Sequence, residues 1–182
     1  MSFITQGYRS TFWFSYNGDI RNLTKSIKMK TKTQLFLELW SEARTRYTKQ
    51  LENITEEDLK KRLPPSVNSV GFLMRHIGDV ELLFAKNVFG GEGVKVIAKT
   101  VIVQTDTREW TNLTELKEYT TLSFNTLKAI VALQTDSDWE TTITTKEFGT
   151  KTKAEAFGRI VSHTNHHAGQ MAILLKYGND FK

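Results

Sequence analysis

The sequence predicts an all-α protein: a four-helix bundle with a long crossover in its middle and a short hairpin or extended loop before its last helix. Two observations carry that expectation. Four segments of about twenty residues repeat apolar side chains at three- and four-residue steps, and a stretch of alternating polar and β-branched residues without helical period separates the second from the third. No internal repeat or low-complexity run suggests another architecture. At 182 residues, 39% hydrophobic and 25% charged, the chain suits one domain with a sizeable core.

The first helix is expected over Thr31 to Leu51, where Leu35, Phe36, Leu39, Trp40, Ala43 and Tyr47 form one apolar stripe. Ile54 to Leu59 reads as a short capped turn, and Pro64-Pro65 prevents a helix from continuing through it. Ser66 or Asn68 then caps a second helix that runs to about Val88, with Phe72, Leu73, Ile77, Val80, Leu83 and Phe84 inward. Phe89-Gly-Gly-Glu-Gly stops it, and Val94 to Thr107 is the crossover, long enough for the next helix to start at either end of the bundle. The third helix spans Asn112 to Leu133, capped by Asn112 or Thr114, with Leu116, Tyr119, Leu122, Leu127, Ile130 and Val131 inward. The Thr-rich run from Trp139 to Thr152 suits a hairpin or extended loop, and the fourth helix starts at Lys153.

Residues 1–28 fit this scheme least. They have scattered aromatics, no helical period and no continuous apolar core, so they do not resemble a secretory signal peptide. The expected division is an N-terminal extension over 1–28, outside the core, and a bundle domain over 29–182. The extension also accounts for much of the charge. The chain carries +5 with a pI near 9.3, but Arg9, Arg21, Lys25 and Lys28 against Asp19 place +3 of it in the first 28 residues. The remainder has no basic stripe with interleaved aromatics, so no nucleic-acid partner is expected. Apolar runs fall far short of the roughly 18 residues of a membrane span, so no membrane partner is expected either. With no cysteine, disulfides, thiolate metal clusters and a Cys nucleophile are excluded, and a cytoplasmic location is the default expectation.

The chemistry concentrates in histidine. Three of the four histidines lie in Gly158 to Lys176, where His163 and His167 are one turn apart on one helical face, the spacing of a metal-ligand pair. The fourth, His76, sits in the middle of the second helix. Should those helices pack side by side, three neutral imidazoles converge on one divalent cation and leave a coordination position open, as in catalytic zinc sites. A single histidine on an apolar face is ordinarily a hydrogen-bonded core residue, so the inference rests on the pair. Gln170, three residues after His167, is placed to bond a ligand imidazole or a bound water. Asp79, one turn after His76, is placed to orient that ring, to act as a base, or simply to be solvated, and the sequence leaves the three open. Gly78 and Gly169 suit close helix approach, while Arg75 and Arg159 read as surface charge or as attractors of an anionic substrate.

His163-Thr-Asn-His-His-Ala-Gly-Gln, after a Thr-rich hairpin and with a single histidine in the second helix, resembles the DinB-like (YfiT-like) family of bacterial metalloproteins. The family motif His-x-x-x-His-x-Gly-Gln is matched at His163, His167, Gly169 and Gln170, and the similarity runs from about Met29 to the C-terminus. The resemblance implies an up-down-down-up bundle, a divalent metal on His76, His163 and His167 with His166 as a flanking residue, and a homodimer. Where the family often has Arg before Gly-Gln this chain has Ala168. Relatives of better-known chemistry use low-molecular-weight thiols, in isomerisation or in S-transfer. The family name refers to damage-inducible expression and carries no implication of DNA binding.

The expected function is therefore that of a divalent-metal-dependent enzyme, with Zn or Ni foremost and Fe or Mn as other candidates. Its three-histidine site would activate a low-molecular-weight thiol, or water, toward a small electrophilic substrate, with Asp79 and Gln170 as the candidate catalytic residues. A metal-dependent hydrolase and a non-catalytic metal-binding stress-response protein are the alternatives. Peptide hydrolysis is disfavoured, because the general-base Glu of the His-Glu-x-x-His pattern is replaced by Thr164.

Overall fold

The computed structural model of the protein describes residues 29–179. The expected N-terminal extension over residues 1–28 lies outside the described residues. Helices α1 (Lys32–Asn53), α2 (Val70–Asn87), α3 (Lys99–Val103), α4 (Leu113–Val131) and α5 (Lys153–Tyr177) dominate, with one antiparallel hairpin of β1 (Thr142–Thr145) and β2 (Gly149–Thr152) before α5.

Local chemistry sets the helix starts. Thr31 and Thr152 each build a capping box, the Thr hydroxyl accepting from the backbone N–H three residues on and Gln34 or Glu155 reaching back to the cap's own N–H. Of the two caps open for the third long helix, Asn112 is the one used. The second long helix starts later than expected. Its cap is Ser69, whose Oγ accepts from Phe72 N at 3.2 Å, rather than Ser66 or Asn68. Ser69 wins because its own N–H is held at 3.1 Å by Asp106 Oδ2, a long-range contact that no local pattern reveals. The crossover is likewise not wholly irregular, since it contains α3, a single turn packed on α2. In the hairpin, Thr142 pairs with Thr152 and Thr145 with Gly149, and Gly149 turns the chain at φ +69°, a backbone region that favours a residue without Cβ.

The core forms two adjoining clusters. Trp40, Phe84, Leu127, Trp139, Phe157 and Ile160 anchor one, and Tyr47, Leu59, Met74, Ile77, Met171 and Leu174 the other. Helix α2 packs on α3, α4 and α5, and α1 on α4 and α5. Trp139 is pinned by its Nε1–H donating to Thr33 Oγ1 at 2.7 Å, which ties the approach to the hairpin to the start of α1.

Three inward assignments are corrected. Leu35, Leu39 and Leu122 stand 47%, 65% and 57% exposed, because an apolar stripe can be wider than the surface its neighbours cover. Conversely, Arg44 and Glu81 are buried. Arg44 Nε donates to Glu81 Oε1 at 2.8 Å and Nη2 to Oε2 at 3.2 Å, Ser123 Oγ adds a third bond at 2.7 Å, and the guanidinium lies over the Phe124 ring.

Candidate metal centre

Helices α2 and α5 run past each other where the two core clusters meet. On α2 His76 directly precedes Ile77, the last residue of one cluster before Val80 of the other, and on α5 His163 and His167 lie between Ile160 of one cluster and Ala168 of the other. The packing of these helices brings His76, His163 and His167 together across 87 residues of chain, with ligand atoms within 4.8 Å of one another. His163 Nε2 is 3.2 Å from His76 Nε2 and 3.1 Å from His167 Nε2. Phe72 stacks on His76 at 5.7 Å, only 9° from parallel, and fixes the plane of that ring.

Burial keeps all three rings neutral. It lowers His163 to about 3, helped by His167 and His76, and His167 to about 4 against the opposing bond from Gln170. His76 is lowered as well, by burial and against the pull of Asp79. Neutral imidazole is the form that binds metal.

The donor set fits a divalent cation. An imidazole nitrogen carries at most one proton, so His163 Nε2 cannot make an ordinary hydrogen bond to both of its nitrogen neighbours at once. His163 Nδ1 is buried with no hydrogen-bond partner among the described residues, so moving the proton there leaves it unsatisfied. Two nitrogens bound at 2.0–2.1 Å around a tetrahedral centre lie about 3.3 Å apart, close to the observed spacing.

The polar residues around the rings divide by role. His167 Nδ1 lies 2.6 Å from Gln170 Oε1, so Gln170 contacts a candidate ligand ring. Asp79 is fully buried and does not touch His76. Its Oδ1 accepts from Arg75 Nε at 2.9 Å and from Tyr119 OH at 2.6 Å, and its Oδ2 from the backbone N and hydroxyl of Thr100 at 3.1 and 2.7 Å. Thr100 Oγ1 in turn is 3.1 Å from His76 Nδ1. Arg75 is not free surface charge: its guanidinium is 3.6 Å from the centre of the Tyr119 ring and 5.0 Å from that of Trp110. Burial and the bond to Asp79 both raise Tyr119, which stays protonated as a donor.

A cavity of about 410 Å³ opens beside His163, lined by Val80, Phe84, Glu147, Arg159, Ser162 and His166. His166 is exposed and meets His167 with ring centres 5.0 Å apart, as expected of a flanking residue. Arg159 bridges to Glu147 of the hairpin turn at 3.2 Å and lies over Phe148. Gly78 is required by close approach, since a Cβ there would fall 2.8 Å from Tyr119 ring carbons. Gly169 is not, for a Cβ there meets nothing within 4 Å. Ala168 is buried and its carbonyl accepts from Gln50 Nε2 at 2.9 Å, so this position faces the core and not the cavity.

The sequence points to Arg75 only as surface charge or an attractor of an anionic substrate and to Tyr119 only as an inward residue, and it gives Thr100 no site role. Thr100 falls in a crossover with no helical period, and nothing local marks it as the neighbour of His76. Among the described residues no helix is long and apolar enough to cross a membrane. No curated protein matches the chain. A family model described as the DinB superfamily matches residues 39–171, which include all three converging histidines.

Proposed function

The chain belongs to the DinB superfamily, and from that premise we propose a divalent-metal-dependent enzyme in which His76, His163 and His167 hold the cation, Zn or Ni foremost and Fe or Mn admissible with the same donors. The observation that carries the reading is the meeting of three neutral imidazoles at His163 Nε2, with no arrangement of protons that satisfies all of their nitrogens. When bound, such a cation supplies Lewis acidity that brings a thiol or water toward its anionic form near neutral pH.

The substrate reading is a low-molecular-weight thiol and a small electrophile, joined by S-transfer or isomerised through a thiol adduct. The cavity beside His163 supports it: Val80 and Phe84 give an apolar wall, while the Arg159 guanidinium offers donors to an anionic or carbonyl group. Gln170 acts as a positioning residue for His167. Asp79, with four donors on its two oxygens, suits a positioning role better than proton transfer. The four long helices are read as an up-down-down-up bundle, and Leu35 and Leu39 on α1 offer apolar surface for a homodimer.

The test is isothermal titration of zinc- or nickel-loaded protein with a panel of low-molecular-weight thiols, including cysteine and glutathione. Binding of at least one is expected, and it should be lost in His163→Ala. No binding to any member of the panel overturns the thiol reading, and turnover of esters or lactones without thiol assigns the site to hydrolysis.

A further inference from the structure

The arrangement around His76 makes a statement about one residue of the crossover. Thr100 is 2% exposed, and its hydroxyl has a single proton. Two groups compete for that hydroxyl: Asp79 Oδ2 at 2.7 Å and His76 Nδ1 at 3.1 Å. Asp79 is paired with the Arg75 guanidinium, and a carboxylate in that setting accepts and does not donate. The Thr100 proton therefore goes to Asp79, which leaves only lone pairs on Oγ1 to face the imidazole. The contact to His76 is then a hydrogen bond only if Nδ1 carries the ring proton. A neutral imidazole has one such proton, so Nε2 is left with its lone pair 3.2 Å from His163 Nε2.

We infer that Thr100 is a positioning residue: its hydroxyl relays Asp79 to His76 and locks that ring in the tautomer whose Nε2 accepts a metal. The inference rests on the metal reading above and extends it to an element that supplies no ligand. Helix α3 is seated on α2 through the same carboxylate, by the Thr100 backbone N–H as well as its hydroxyl. The crossover thus forms the outer part of the centre, and His76 is set for metal before any metal arrives. His167 is set in the corresponding way by Gln170, so the rings on either side of His163 each have an assigned Nδ1 partner.

The test uses the full chain. Thr100→Val removes the hydroxyl at nearly constant volume, and Asp79 keeps Arg75, Tyr119 and the residue-100 backbone N–H, so the fold has what it needs to survive. Zinc affinity, measured by competition with a chromophoric chelator, is expected to weaken by about ten- to a hundredfold in Thr100→Val, the usual range when a partner outside the ligand set is lost. Thr100→Ser, which restores the hydroxyl, should stay near wild type. Long-range ¹H–¹⁵N correlation spectra of the metal-free protein give a second readout. They should show His76 protonated at Nδ1 in wild type and Thr100→Ser, and as a mixture of tautomers in Thr100→Val. A wild-type His76 protonated at Nε2, or a Thr100→Val protein that binds zinc as tightly as wild type, overturns the inference. Failure of the wild-type protein to bind any divalent metal would overturn the metal reading and with it the metal role given to Thr100, whereas the tautomer, read without metal, separately decides whether Thr100 sets the ring.

Discussion

His163 stands within hydrogen-bond distance of two other imidazoles and has no hydrogen-bond partner for its second nitrogen among the described residues. Burial, with this crowding added to it, shapes how the metal-free protein responds to acid. Burial and the neighbouring rings lower His163 from 6.5 to about 3, and burial lowers His167 to about 4. Between those values and 6.5 the unfolded chain takes up protons that the folded one refuses, so stability falls as pH drops through that window and is flat, for these groups, above it. Urea titrations of metal-free protein at a series of pH values should show this slope, and it should be shallower in His163→Ala. An equal slope in the two proteins would mean that other groups govern acid unfolding. The His163/His167 pair was legible in the sequence because helical period fixes which residues share a face. Asp79 was legible as a neighbour of His76, but its route to the ring was not, because the relay passes through a residue 21 positions away.

Helices α1 and α2 are tied together by Arg44 and Glu81, and α4 joins through Ser123 and the Thr120 carbonyl. Sequence patterning misses this tie because charged residues are normally assigned to solvent, and only the assembled helices show that the two charges meet inside. Removing one partner leaves a buried charge. Arg44→Met is expected to cost about 3–5 kcal/mol, and Arg44→Met combined with Glu81→Leu should recover most of the loss. Both are read from urea unfolding at neutral pH, and a double variant no better than the single would show that the ion pair itself stabilises the fold. The long helices were readable from period and the hairpin from its threonines and Gly149. Helix α3 and the Ser69 cap were not, since Asp79 and Asp106 hold them from a distance.

For the molecule as a whole, the start of α1 is held by residues of the described range. Helix α1 starts with its own capping box, and the backbone N–H of Lys32 is taken by Asp136 at 2.9 Å. A chain starting at Met29 is therefore expected to keep the thermal midpoint and the metal stoichiometry of the full-length protein, as measured by calorimetry and elemental analysis. A collapse of either would make residues 1–28 part of the domain. The converging histidines come from two helices far apart in the chain, and the unfolded chain has no such grouping. A cation bound there acts as a removable cross-link, stabilising by about 2.7 kcal/mol when free metal is a hundred times its dissociation constant. Starvation for that metal would then shorten the protein's lifetime against proteolysis, so that its abundance follows supply.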